Sequence, residues 1–410
     1  MNEVLLLITI VLSFWLCFPF FSMTIAALNP LKKEKQDENQ TFRFACIITV
    51  YQNLDIAWPL VRSLLKQNYS NYRIYLVADG ITTPVNSQIE NNDRFVLLQP
   101  DTPLRSKVAS INYVLQQLDS SYTHAVIFDP DNLVPAHFLS ALNSSHHMGF
   151  EIVQGKRIAK NIDTVYSALD ALGEYYYDFT VRQVPFRLGS SSTIAGSGMS
   201  ISLDVYRKNI QKEMEELKIK GVVVAEDKSL QMDFVAQQKR IAYCPQAILF
   251  DEKVSSGEQV SRQRTRWLNS YFRHSKDAIV LLIRGVRLFN WNIFYFALMI
   301  LFPPMSVLML SSLLLLVLNL VFLPKLAFIL GISIGIFGLS FILALLQNAT
   351  PAPVMKVLPQ IPLFIARQMG GLLHIRKANK DFMATSHNYH IEIDELWQKR
   401  KPEFKKWITT

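Results

Sequence analysis

The chain has 410 residues, of which 50% are hydrophobic and only 18% charged, with 42 Lys and Arg against 33 Asp and Glu and a formal net charge of +9. An ordinary soluble chain carries about a quarter charged residues, and the shortfall here is local: residues 4–28 carry no charge and residues 288–355 carry only Lys325. This excludes a fully soluble enzyme, a disordered protein and a disulfide-rich secreted scaffold, and Cys17, Cys46 and Cys244 are too widely spaced for a disulfide framework or a zinc site.

Val4–Leu28 is long enough to cross a hydrocarbon core of about 30 Å. No Lys or Arg precedes it, whereas Lys32, Lys33 and Lys35 follow. It therefore reads as a spanning helix (residues 1–31) rather than a cleaved signal peptide, with the N-terminus outside and residue 32 onward in the cytoplasm.

Residues 42–250 alternate apolar β-rich runs with helical patterns. Phe44–Val50 reads as a buried strand and Ala57–Lys66 as a helix. Arg73–Ala78 is a second strand ending at Asp79-Gly80. Strand Phe95–Leu98, helix 106–118 and strand His124–Phe128 follow, the last running into Asp129. Strand–helix alternation predicts an α/β fold with a mainly parallel sheet. Ligands of such sheets bind outside the carboxyl ends of the strands, where Asp79 and Asp129 fall.

The residues able to carry chemistry follow in chain order. Asp79 can accept hydrogen bonds from a base or ribose, or can simply close an Asp-Gly turn. Lys107 can neutralise a diphosphate, or can be a solvated helix start. Asp129-Pro-Asp131 places two carboxylates one residue apart at a strand end, a donor set for a hard divalent cation with room left for phosphate oxygens. Glu226-Asp227 can supply a carboxylate that takes a proton from an acceptor hydroxyl, or can cap a helix. Gln263-Arg-Thr-Arg266-Trp267 offers a guanidinium for phosphate and an indole face for a sugar, or a basic and aromatic membrane anchor.

Residues 32–274 thus form the expected cytoplasmic domain. Residues 275–291 mix Ile279, Val280, Leu282 and Ile283 with Lys276, Arg284 and Arg287, a pattern suited to a helix in the headgroup layer. Residues 292–348 read as a transmembrane hairpin broken at Leu323-Pro324-Lys325. Residues 349–410 read as a second interfacial segment and a cytoplasmic tail, with a fourth span at 354–375 as the alternative that its two charges and its prolines disfavour. Basic residues flank the hairpin on both sides, which accounts for the positive net charge. No nucleic-acid motif appears, so no nucleic-acid partner is expected. A transporter is disfavoured because neither hairpin arm has an ionisable residue in its interior.

In order and spacing, Asp79, Asp129-x-Asp131, Glu226-Asp227 and Gln263-x-x-Arg266-Trp267, followed by apolar spans, resemble the membrane-embedded family-2 glycosyltransferases, which include cellulose, chitin, hyaluronan and poly-N-acetylglucosamine synthases. The resemblance implies a GT-A-type nucleotide-sugar-binding domain and inverting, metal-dependent transfer from a UDP-sugar to a growing β-linked polysaccharide at the cytoplasmic membrane face. It further implies that Asp79, Lys107, Asp129, Gln263 and Arg266 bind the nucleotide sugar and that Asp131 with Asp129 holds Mg²⁺ or Mn²⁺. By the same resemblance, Asp227 is the general base beside Glu226, and Trp267, Gly196 and Gly198 line the acceptor site. Phe382, Thr385 and His387 loosely resemble a gating loop over the nucleotide, with His387 where a Lys or Arg is common. The implied home is a bacterial inner membrane. Three spans are few for a polysaccharide channel. Either a partner subunit or homo-oligomer completes one, or a single sugar is added to a membrane lipid.

Overall fold

A computed structural model describes residues 2–29, 42–81, 89, 92–220, 226–362 and 389–408. The chain divides into two compact units. A sheet unit comprises residues 33–161, 191–253 and 385–410, and a helical unit comprises residues 1–32, 162–190 and 254–384. Within the span of residues 32–274, residues 162–190 and 254–274 group with the apolar helices rather than with the sheet.

The sheet unit is built on seven strands: β1 (Phe44–Tyr51), β2 (Tyr72–Asp79), β3 (Phe95–Leu98), β4 (His124–Phe128), β5 (Ile152–Ala159), β6 (Met199–Ser202) and β7 (Ile241–Asp251). Their order is β3-β2-β1-β4-β6-β5-β7. Only β6 runs against its neighbours, pairing antiparallel with β4 and β5, while the remaining pairs are parallel. β1, β2 and β4 are almost wholly buried, as strands covered by helices on both faces must be. Helices α2 (Trp58–Leu65), α3 (Lys107–Leu115) and α4 (Phe138–His147) are the crossovers. Ser106 caps α3 by accepting the Ala109 N–H, so the chain turns from Leu104 into a helix directly above the strand ends.

In the helical unit, α1 (Asn2–Ala27) is followed by α5 (Val165–Tyr177), a π-helical turn at Asp178–Gln183 and α6 (Val184–Arg187). Later in the chain come α9 (Gly257–Arg287), α10 (Trp291–Leu301), α11 (Met305–Phe322), α12 (Pro324–Gln347) and α13 (Ala352–Met355). The sheet unit also carries α7 (Leu203–Lys220), α8 (Glu226–Ala236) and, at the end of the chain, a helix labelled here α14 (Ile393–Ile408). α1, α11 and α12 are long and apolar enough to cross a membrane.

Two sequence expectations need correction here. Residues 275–291 are not a separate helix: most of them form the second half of α9, a continuous 31-residue helix. The first hairpin arm is not one helix either, because Pro303 and Pro304 cannot continue the hydrogen-bond ladder and part it into α10 and α11.

Candidate active site

The carboxyl ends of β2 and β4 carry the expected acids. Asp79 closes β2 and is 2% exposed. Its two oxygens accept the Leu104 and Arg105 N–H groups, each at 2.7 Å. Arg105 reaches this position in the left-handed region (φ 52°), and Gly80 follows Asp79 at φ 69°. A Cβ on Gly80 would lie 2.8 Å from the Tyr51 ring. Asp79 therefore fixes the turn that delivers α3.

Lys107, the first residue of α3, donates from Nζ to Asp129 Oδ1 (2.5 Å) and to the Gly196 carbonyl (2.8 Å). Gly196 is left-handed (φ 76°), and a Cβ there would lie 3.9 Å from the Asp227 Cβ and 4.0 Å from Lys107 Nζ. Four residues scattered through the sequence, Lys107, Asp129, Gly196 and Asp227, are thus brought together. Asp227 stands in the first turn of α8, with Oδ1 accepting the Lys228 N–H at 2.9 Å. Burial pushes the Lys228 ammonium below its usual range, and the Asp227 charge opposes that shift.

The loop bearing Gly196 and Gly198 is gripped from several directions. Ala195 N–H donates to Gln154 Oε1 (2.9 Å), its carbonyl accepts from Arg157 Nη1 (3.0 Å), and Ile194 N–H donates to Gln231 Oε1 (3.1 Å). Gly198 is also left-handed (φ 64°), and its N–H reaches the Ile127 carbonyl at 2.8 Å.

Asp131 is 5% exposed. Its Oδ2 accepts the Glu252 N–H (3.2 Å) and its carbonyl accepts from Lys160 Nζ (2.9 Å). Asn132 donates from Nδ2 toward Asp251 Oδ1 (3.3 Å) and accepts the Asp129 N–H at 2.9 Å. Asp251 in turn pairs with Arg157 and with Lys253 (2.9 Å). Arg157, Lys160, Asp251, Glu252 and Lys253 were missed in the sequence because β5 and β7 do not read as uniformly apolar strands. The signal available was the density of charge in Gly-Lys-Arg and Asp-Glu-Lys next to apolar runs.

Among the described residues, no group of three or more His, Cys, Asp or Glu is arranged to hold a metal. The protein offers Asp129 and Asp131, with the Lys107 ammonium already at one oxygen of Asp129. Two hard carboxylates completed by substrate phosphates are the set that Mg²⁺-type ions take, so these residues fit such an ion.

In the helical unit, Gln263, Arg266 and Trp267 lie on α9. Arg264, between them, pairs with Asp170 (2.7 Å, side chains 15% and 4% exposed) and lies 4.4 Å over the Trp267 ring. Sequence reasoning did not select Arg264, and it fixes the indole. The side chain of Glu226, and Phe382, Thr385 and His387, lie outside the described residues.

A mainly parallel seven-stranded sheet with a single reversed strand and acids at its carboxyl edge is a GT-A-like α/β domain. Residues 42–270 match the model of the glycosyltransferase like family 2, and the chain belongs to that family. It is a glycosyltransferase. Among solved structures it resembles the mannosyltransferase PcManGT from Pyrobaculum calidifontis in complex with GDP-Man and Mn2+. That match has 13% identity over 92% of this chain and 100% of that one, with a TM-score of 0.52. It also aligns with S. aureus TarS at 14% identity over 85% of this chain and 57% of that one, with a TM-score of 0.36. No curated protein matches it in sequence.

Proposed function

We propose that the enzyme transfers a sugar, with inversion, from a UDP-sugar to a growing β-linked polysaccharide at the cytoplasmic face of a membrane. The observation that carries the chemistry is the meeting of Lys107, Asp129, Gly196 and Asp227 at the carboxyl edge of the sheet. Lys107 exchanges its Asp129 partner for an incoming diphosphate and neutralises it, and Asp79, whose oxygens hold the Leu104 and Arg105 N–H groups, fixes the turn that presents Lys107. Gly196, having no side chain, lets the acceptor approach the backbone. Asp227 takes the acceptor hydroxyl proton as that oxygen bonds to the anomeric carbon and the bond to the diphosphate oxygen breaks. A single displacement converts an α-linked donor into a β-linked product. Base catalysis of this kind contributes about 10²–10⁴-fold.

Asp129 and Asp131 would hold Mg²⁺ or Mn²⁺, which when bound supplies charge stabilisation to the departing diphosphate. In this reading Gln263 and Arg266 bind the diphosphate and Trp267 floors the acceptor site. The PcManGT complex contains GDP-Man and Mn2+, which supports a divalent ion and makes GDP-mannose a donor to include in any panel.

The Gln263-x-x-Arg266-Trp267 motif favours the polymer. One observation favours a second reading, transfer of one sugar to a lipid: the described residues contain only three helices long and apolar enough to span. The test uses full-length protein in lipid nanodiscs, wild type beside Asp227→Asn, with labelled UDP-sugars and GDP-mannose and Mn²⁺. High-molecular-weight product, lost at least about 100-fold in the variant, is expected. Label confined to a lipid extract would identify a lipid acceptor instead. No product in either protein overturns the catalytic reading.

A further inference from the structure

Glu252 lies at the junction of two features that the chemistry above does not connect: the Asp129–Asp131 turn and the C-terminal segment 389–400. Its backbone N–H donates to Asp131 Oδ2 at 3.2 Å. Its carboxylate, 9% exposed, lies 3.5 Å from Lys160 Nζ, and that ammonium donates to the Asp131 carbonyl at 2.9 Å. The same carboxylate accepts the Tyr389 N–H at 3.2 Å. Both the main chain and the side chain of Asp131 are therefore held through a residue that also holds the C-terminal segment.

That segment is firmly docked on the sheet unit. Ile391, Ile393 and Leu396 are 6%, 5% and 1% exposed. Glu392 accepts from Arg62 Nη2 (2.6 Å) and Nε (3.0 Å), and Asp394 pairs with Lys66, both bases belonging to the α2 region. Arg400, 6% exposed, donates to the carbonyl of Ala159, whose register partner in β7 is Asp251, the residue before Glu252. The segment thus grips the sheet at α2, at the end of β5 and at Glu252.

We infer that Glu252 is a positioning residue for the donor site, and that the docked segment 389–400 acts through it to hold Asp131 where a diphosphate-bound cation needs a carboxylate. The inference rests on the reading of Asp129 and Asp131 as the donor site. Loss of the Glu252 carboxylate removes the counter-ion of a buried ammonium beside Asp131 and frees Tyr389. A buried charge deprived of its partner drives rearrangement of whatever surrounds it. Loss of the Arg62–Glu392 pair, on α2, loosens the same anchor without touching the site.

The experiment measures Mn²⁺-dependent binding of UDP, and in parallel GDP, to full-length protein in nanodiscs. The variants are Glu252→Ala, Glu252→Gln, Arg62→Glu, and Arg62→Glu combined with Glu392→Arg. Outer partners of metal-binding carboxylates are worth about 10–100-fold in metal affinity. Glu252→Ala is expected to raise the half-saturating Mn²⁺ concentration by at least the lower end of that range. Glu252→Gln, which keeps an acceptor for Tyr389 but loses the charge, gives a smaller rise. Arg62→Glu shifts binding in the same direction, and the reversed pair restores it to within about twofold, because the two charges are coupled. A pair that merely helps the chain fold changes the amount of folded protein and leaves the half-saturating Mn²⁺ concentration of that folded protein unmoved. Should Glu252→Ala not fold, Glu252→Gln and the Arg62 pair decide. Wild-type Mn²⁺ dependence in every folded variant overturns the positioning role while leaving the donor site intact. Absence of Mn²⁺-dependent binding of either nucleotide to the wild type overturns the donor-site reading and this inference with it.

Discussion

Each carboxylate oxygen of Asp79 accepts one backbone N–H at 2.7 Å in a setting only 2% exposed. Asp79→Asn keeps the volume but offers one acceptor oxygen and an NH₂, which must face either the Leu104 or the Arg105 donor. A hydrogen bond to a charged group is worth about 1.5–3 kcal/mol, and a buried donor left unsatisfied costs a similar amount. The expected result is a loss of roughly 2 kcal/mol, read as a lower denaturant midpoint in detergent. Gly155 is constrained differently. It borders the β-bulge in the β5–β7 pairing, and a Cβ there would lie 2.5 Å from the Ala247 carbonyl and 3.1 Å from that of Gly198. Those neighbours are backbone and cannot rotate away. Gly155→Ala should therefore cost about 1–3 kcal/mol, as overpacking does. It should also lower turnover, since Gly198 ends the loop that Lys107 and Arg157 hold.

At the scale of elements, the start of β4 and the end of α4 meet in a pair of histidines. The His124 and His146 rings lie 3.9 Å apart, and His146 bonds to the Phe150 carbonyl (2.6 Å) and Ser200 Oγ (2.7 Å). Burial pushes His146 down to about 4, and burial together with the charge of His146 pushes His124 down to about 2. Both folded values lie below the ordinary value of 6.5, so the unfolded chain binds more protons between 6.5 and 4. The stability these rings contribute is complete above pH 6.5 and is lost as the pH falls toward the folded values. Between pH 6.5 and 5 that amounts to about 2 kcal/mol for each ring. Unfolding midpoints measured from pH 7.5 to 5 should fall accordingly, and a flat profile would contradict the neutral pair. These histidines were not singled out from the sequence, because nothing in His124-Ala-Val or Ser-His-His announces that the two rings will meet. The strands they support were far easier to read. β1, β2 and β4 are buried on both faces and show as unbroken apolar runs, two of them ending at Asp79 and Asp129. The reversed strand β6, Met-Ser-Ile-Ser, is four residues long and half polar, and β5 buries Gln154 and Lys156. Pairing with distant partners, which a linear pattern does not display, is what makes them strands. For the same reason Lys107, Gly196 and Asp227 could be suspected singly, whereas their meeting appears only once the chain is folded.

For the whole molecule, the placement of charge predicts a topology that labelling can test. α11 has 18 residues, which at about 1.5 Å each span about 27 Å, close to a hydrocarbon core of ~30 Å; α12, with 24, is longer. α1 packs with both, and deep in that bundle Asn319 Nδ2 donates to Thr9 Oγ1 at 2.9 Å, satisfying polar groups that lipid could not. The proposed topology puts the turn at Leu323, between α11 and α12, outside. Lys and Arg concentrate before α10 and after α12, the sides that positive charge keeps in the cytoplasm. In a Cys17→Ala background the remaining thiols are poor targets, because Cys46 and Cys244 are buried and burial pushes both above the usual thiol range. A membrane-impermeant maleimide applied to intact cells should therefore label Lys325→Cys, exposed at the start of α12, and leave Ser255→Cys, exposed just before α9, unlabelled until the cells are permeabilised. Labelling of Ser255→Cys from outside would put the start of α9 outside and overturn the proposed orientation. Equal labelling of the two positions would mean that both lie on one side of the membrane, contrary to the proposed topology.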